Sequence, residues 1–357
     1  MGALACLLGG SLAALALAAA PATAATPRFL GTGHDPGVAV DRAGTAHVAW
    51  LAENGAVATL EYCQVPRHGH ACAARQTFPL ERAGTGKVQV VTHRGAVFVL
   101  APVGNADSVL LASPDGGATF TPHPVGKLPA VESMLYGPRD SLSVLSGSGP
   151  ASYGLFGLDG SGPGGLPVSF GDAVESLQTS LASTGSGLVA FRSGSGGIRS
   201  DLFNGPGDPN AQASWVEGPA LRGLRSAPAA AGGRSGTFLA YVDRSGSRSD
   251  IRIRRLAGAR LTGERRLSRD DPTELSLAQS PAGALSLIWP SGGDAWIVRS
   301  RHGRRWTAPH RLFRGSAGGD LRSALGSRGG WAVWDGSPGN TGSFPIRLVA
   351  LPRAPRR

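Results

Sequence analysis

A short pattern recurs seven times along this chain: a small apolar strand, a glycine-containing turn, and a second strand that ends in a large apolar residue. It first runs Gly37-Val38-Ala39-Val40, then Arg42-Ala43-Gly44, then Ala46-His47-Val48-Ala49-Trp50. Taking the terminal large residue as a marker gives Trp50, Leu100, Leu145, Phe191, Tyr241, Trp289 and Trp334, with gaps of 50, 45, 46, 50, 48 and 45 residues. A fixed period of this size is the signature of a repeat architecture. The segments are too short and too turn-rich for helices, and they read as mixed apolar runs instead of clean alternation. That is how strands covered on both faces read.

A four-stranded propeller blade needs about 40–50 residues. The expectation is therefore an all-β, seven-bladed β-propeller, with six or eight blades as the alternative if a weak unit such as the third is miscounted. In the sixth unit the third and fourth strands read as Ala295–Arg299 and Trp306–Leu312. The seventh unit has a third strand at Ile346–Ala350 and no fourth before the chain runs into Pro352-Arg353-Ala354-Pro355-Arg356-Arg357. Thr26-Pro27-Arg28-Phe29-Leu30 resembles the end of the sixth unit, Ala308-Pro309-His310-Arg311-Leu312, and is expected to complete the last blade. Such closure removes the sheet edges that invite aggregation.

Composition agrees. There are 54 glycines and 26 prolines in 357 residues, yet 41% of residues are hydrophobic, which points to many turns around a real core. Residues 1–25 read as a signal peptide, with an apolar run from Leu4 to Ala20 and an A-x-A cleavage context near Ala24. No Lys or Arg precedes Arg28, so either the amino terminus alone supplies the positive charge or the start lies upstream. Cys6 sits too near the start for a lipoprotein cleavage site. Residues 26–352 are then one propeller domain and 353–357 a basic tail. The expected location is extracellular, free of a transmembrane segment, with a monomer as the default.

Export leaves Cys63 and Cys72, which should pair across a Pro/Gly-rich loop. A metal site with His68 and His70 is the competing reading, for which zinc would want another ligand. The formal net charge is +11, nearly all of it arginine, since lysine occurs only at Lys87 and Lys127. An exported protein does not meet nucleic acid. Anionic wall polymers or acidic glycans suit the charge, against the plainer reading of a dispersed, solvated surface charge.

Ser113-Pro114-Asp115-Gly116-Gly117-Ala118-Thr119-Phe120 fits the pattern S-x-D-x-G-x-x-[WF] and resembles the Asp-box (BNR) repeat of sialidase-like propellers. Gly303-Arg304-Arg305-Trp306 is a degenerate second copy. The resemblance implies a structural turn between third and fourth strands: Asp115 accepts backbone N–H bonds, Gly117 takes φ > 0 and Phe120 packs back. It implies no catalysis. The F/Y-R-I-P segment is absent, and neither Tyr136 nor Tyr153 comes with an obvious Glu and Arg set.

Propeller ligands sit where second strands turn into third ones and where one blade passes to the next. Those loops hold His34-Asp35, Arg192, Arg222, Arg225, Asp243-Arg244, Arg269-Asp270-Asp271, Asp294, Asp320 and Asp335. The expected ligand-binding set is Arg192, Arg244, Asp271, Asp294, Asp320 and Asp335, with no catalytic residue, no resident metal and no cofactor beyond calcium as an option. Tryptophans are read as core, with Trp296 the one lacking a structural role. Ile251-Arg252-Ile253-Arg254 is read as a third strand with its arginines on one face, either an anion-binding flank or a charged outer edge protected against pairing. The function expected is a non-catalytic exported propeller that binds a glycan, wall polymer or protein at its pore face. A divergent glycoside hydrolase or polysaccharide lyase using paired carboxylates is the alternative. Convergence of three arginines and two carboxylates in one pocket would discriminate between them.

Overall fold

The computed structural model describes residues 26–352, except 55–56, 85, 105–106, 129, 138–139, 147–150, 159–160, 162–166, 171–177, 206, 316–318 and 337–343. The expected signal segment with Cys6 and the basic tail lie outside the described residues.

The described chain forms seven antiparallel sheets, six of them from consecutive strands. Blade 1 spans residues 34–80, blade 2 89–127, blade 3 131–170, blade 4 178–222, blade 5 225–268 and blade 6 276–313. Blade 7 takes three strands from residues 321–351 and its fourth from Arg28–Thr32, which pairs antiparallel with Pro345–Leu351. The protein is thus a seven-bladed β-propeller closed by its N-terminal strand. One three-residue 3₁₀ turn, Gln212–Ser214, is the only helical element among the described residues.

Burial peaks at the second strands of the blades and falls off toward the outer edge. Each second strand lies between neighbouring blades, and three of them, Ser141–Ser146, Thr237–Asp243 and Gly330–Asp335, are buried at every position. Outer strands such as Arg260–Ser268 are largely exposed. All seven marker residues lie within second strands and are almost wholly buried. The apolar side chains gather into seven clusters, one for each interface between adjacent blades. One of these joins blade 7 to blade 1 through Trp331, Val333 and Trp50. The ring therefore has no weak seam: burial, the main favourable term in folding, is spread around it.

Details differ from expectation in two places. The fourth strand of blade 6 is His310–Phe313, not Trp306–Leu312. Trp306 instead folds inward, its indole N–H donating to Gly303 O at 3.2 Å. Ile251–Arg254 lies in the third strand of blade 5, with Arg260–Ser268 outside it, so it is not the edge. Trp296 is partly buried against the cluster between blades 5 and 6.

The Ser113–Phe120 segment forms a tight turn between the third and fourth strands of blade 2. Asp115 Oδ1 accepts from the Ala118 and Thr119 N–H groups and the Ser113 hydroxyl, while Gly117 N–H donates to Ser113 Oγ. These donors hold the Asp115 carboxyl below the usual range, the Thr119 hydroxyl and N–H contributing most. Gly117 has φ +90°, and a methyl group there would stand 1.9 Å from the Tyr62 hydroxyl. Phe120 packs edge-on against Tyr62 and Phe78. Cys63 and Cys72 are disulfide-bonded, which leaves neither as a metal ligand.

Candidate functional site

The innermost strand of every blade runs along the ring axis. Val38, Val90, Met134, Leu181 and Leu277 from five of these strands form an apolar waist between cavities at the two ends. Small hydroxyls knit the inner strands together: Leu181, Ala230 and Ser323 N–H donate to Ser133, Ser180 and Ser276 Oγ of the preceding blade. Because these strands all start at the same end, the residues just before them form the rim of one mouth.

Three of the inner strands are bulged at that rim. The register slips between His34 and Gly37, between Val131 and Ser133, and between Ser226 and Ala229. The first and last are His34-Asp35-Pro36-Gly37 and Ser226-Ala227-Pro228-Ala229, and both hold the residue before proline at positive φ, 52° at Asp35 and 51° at Ala227. Bulges re-aim side chains; here they release Asp35 and Glu132 from the ladder at the mouth.

Lys87 is the hub. Its Nζ lies 2.9 Å from Glu274 Oε1, 3.3 Å from Asp320 Oδ1 and 3.4 Å from Glu132 Oε2. These partners come from blades 6, 7 and 3, so a lysine preceding blade 2 reaches across the axis. Arg322 also pairs with Glu274, whose other oxygen accepts from Leu321 N–H at 3.0 Å. Burial and the Arg322 charge oppose the Lys87 ammonium, but Glu274, Glu132 and Asp320 outweigh them and hold its pKa above the ordinary value. Burial pushes the Glu132 carboxyl up, with Lys87 pulling the other way. The cavity beneath has about 230 Å3 and is lined by Lys87, Glu132, Gln178, Glu274 and Arg322.

Beside it stand Asp35, Asp335 and His34. His34 Nδ1 and Asp35 Oδ2 are 2.7 Å apart, and Asp335 Oδ2 accepts from Asp35 N–H at 3.3 Å. Burial, then the Asp320 and Asp35 charges, raise the Asp335 pKa to about 7. Its Oδ1 is buried with no hydrogen-bond partner among the described residues. Five carboxylates therefore face Lys87, Arg322 and His34, and one of them keeps its proton near neutrality because they cannot all ionise cheaply.

Of the six residues expected to bind ligand, the fold brings two, Asp320 and Asp335, into this group. The others pair locally. Arg192 bonds Asp201 at 3.0 Å within blade 4, Arg244 bonds Asp271 at 2.6 Å between blades 5 and 6, and Asp294 takes Arg311 and Gly315 N–H within blade 6. Lys87, Glu132, Glu274 and Arg322 were missed. The signal for them was positional: each lies within two residues of the start of an inner strand.

Arg322 is the one arginine lining the mouth cavity. A Tyr–Glu–Arg group does form elsewhere, where the Tyr241 hydroxyl donates to Glu264 at 2.7 Å beside Arg252 and Arg254. It is built into the body of blade 5 with Tyr241 fully buried. Among the described residues no three His, Cys, Asp or Glu side chains are arranged to hold a metal, and no helix is long and apolar enough to cross a membrane.

No protein-family profile matches the chain, and no curated protein matches it in sequence. Solved structures do. YCF48 bound to a D1 peptide aligns with a TM-score of 0.58 at 14% identity, over 94% of this chain and 98% of that one. A family 25 polysaccharide lyase, an ulvan lyase bound to a GlcA–Rha3S saccharide, aligns at 0.53 and 9% identity over 90% and 96%. AofleA from Arthrobotrys oligospora aligns at 0.50 and 11% over 93% and 90%. At such identities the likeness shows the shared β-propeller fold.

Proposed function

We propose that this chain is an exported ligand-binding propeller of the Asp-box type, which seats the polar end of a glycan, wall polymer or protein ligand at the Lys87 mouth. The observation that carries this reading is the gathering of Glu132, Glu274, Asp320, Asp35 and Asp335 around Lys87 and Arg322, an excess of carboxylates over cations at one mouth. An excess of carboxylates suits a ligand that brings hydroxyl or ammonium donors. The cavity is smaller than the roughly 300–1,000 Å3 of drug-sized clefts, so it takes one sugar ring or one side chain with the rest of the ligand outside. Polysaccharide lyases and a peptide-bound protein among the structural neighbours support either ligand class.

The test is calorimetric titration of the purified protein with a panel of neutral, amino and acidic oligosaccharides and lysine-bearing peptides. Binding that weakens in Glu132→Gln and Asp320→Asn, with folding intact, supports the mouth as the site. A ligand that binds these variants as tightly as wild type places the site elsewhere.

A second reading has one observation in its favour. A carboxyl with a pKa near 7 beside ionised carboxylates is the arrangement of a general acid in glycoside cleavage. Turnover of any saccharide in the panel, abolished by Asp335→Asn, would establish a hydrolase or lyase in place of a binding protein.

A further inference from the structure

The opposite end of the ring carries the reverse charge. Turns between first and second strands all lie there, and they repeat an arginine: Arg42 in blade 1, Arg94 in blade 2, Arg234 in blade 5 and Arg328 in blade 7. Arg139 holds the same sequence position in blade 3 but lies outside the described residues. Arg42, Arg94, Arg234 and Arg328 are exposed, and none forms an ion pair with a described carboxylate. Arg42, Arg94 and Arg328 line one cavity of about 530 Å3, and Arg234 lines an adjoining one of about 630 Å3. Two carboxylates share this rim, and both are engaged. Asp41 accepts from Thr45 N–H at 2.8 Å and lies 3.5 Å from His47, while Asp140 accepts from the Tyr136 hydroxyl.

Two further observations mark this rim as a place where something binds. Arg94 stands at φ +49° before Gly95 at +90° in a two-residue hairpin turn closed by the His93–Ala96 pair. Such a turn favours Asn or Gly at the first position, so arginine there works against local preference. Unfavourable backbone of this kind collects at functional positions. In the adjoining cavity, the His93 ring stacks on Tyr136 at 3.5 Å, and the Gln279 amide and His93 Nε2 are buried with no described partner.

We propose that this arginine rim binds an anionic polysaccharide, through the carboxylate or sulfate groups repeated along its chain. Guanidinium groups pair with such oxyanions through two parallel N–H donors. Arginines repeated on turns of several blades around one rim suit a polymer that carries charges at intervals along its chain, and the unpartnered amide and the stacked rings can meet its hydroxyls and ring faces. The carboxylate-rich mouth would repel the same polymer. The protein would thus rest on an anionic matrix by one face and leave the other free. This inference does not depend on what the Lys87 mouth binds.

Binding of dextran sulfate and of polygalacturonate is measured by biolayer interferometry, with uncharged dextran and duplex DNA as comparison arms. The expected result is salt-sensitive binding to both polyanions and none to dextran. Affinity should fall about tenfold or more in the Arg42→Gln, Arg94→Asn, Arg234→Gln, Arg328→Gln quadruple variant. Glu132→Gln at the other mouth should not weaken it. Arg94→Asn alone keeps the fold, because Asn suits the turn, and should weaken binding about two- to threefold. Absence of polyanion binding overturns the proposal, as does an unchanged affinity in the quadruple variant. Duplex DNA held as tightly as the two polysaccharides would overturn it as well.

Discussion

Lys87 Nζ and Glu274 Oε1 meet at 2.9 Å across the ring axis, although their blades are not neighbours. The contact works as a tie-beam at the mouth, and Glu132 and Asp320 hold its lysine end. Partly buried ion pairs add little net stability against an apolar replacement, but removal of one partner leaves the others uncompensated.

Lys87→Met should therefore cost about 2–4 kcal/mol near neutral pH, since three carboxylates would face each other with Arg322 alone. Adding Glu132→Gln to it should restore part of the loss. Chemical denaturation of the single and double variants checks both statements, and additive losses would contradict the tie.

Asp335 predicts an unusual pH dependence. The folded protein keeps its proton up to about pH 7, whereas the unfolded chain gives it up at about pH 4. Its contribution to stability is complete below that lower pH and is lost as pH rises through 7. Asp335→Asn should match wild type at about pH 4 and exceed it at about pH 8, by on the order of 2–4 kcal/mol. Calorimetric melting across that range is the measurement, and equal melting at pH 8 would count against the shift.

Closure by the first strand predicts that deleting residues 26–32 destabilises the whole ring. The deletion removes Leu30 from the cluster joining blades 7 and 1 and exposes the Pro345–Leu351 edge to pairing with other chains. A melting temperature lowered by several degrees, with soluble oligomers by light scattering, is the expected outcome. An unchanged melting temperature would show that the strand is not needed.

Gly117→Ala should cost about 2–4 kcal/mol, because the new methyl meets the Tyr62 hydroxyl and positive φ disfavours any other residue. Gly95→Ala also sits at positive φ but meets nothing within 4 Å, so its cost should stay at about 1–2 kcal/mol. Denaturation midpoints separate the steric part from the backbone part.

Much of the architecture was legible in the chain. The marker spacing gave the blade number, because a strand buried on both faces must be apolar throughout and must recur at the length of one sheet. The missing fourth strand of the last unit pointed to Thr26–Leu30, which the structure sets at Arg28–Thr32, for the same reason: an unpaired edge needs a partner. The Ser113–Phe120 turn was readable because its hydrogen bonds close within eight residues.

The site was only half legible. Sequence assigned loops to a face but not to a radius, so Asp294 and Asp335 looked alike on paper. In the fold, Asp294 is neutralised by Arg311 on the next strand of its own blade, while Asp335 is buried beside Asp320 and Asp35. Glu132 and Asp35 are turned loose by register slips in their inner strands, which the sequence pattern does not announce.

What the sequence by itself determined is periodic and local: seven sheets, the strand that closes them, the turns and the disulfide. Each rests on contacts within one blade length or on a repeated pattern of burial. The charge centre around Lys87 was decided by the tertiary structure alone. Its members lie up to 301 residues apart, from His34 to Asp335, and only ring closure brings them to one axis. Closure buries Asp335 and sets its distance from the neighbouring carboxylates, and burial first, then their charges, decide that it keeps a proton.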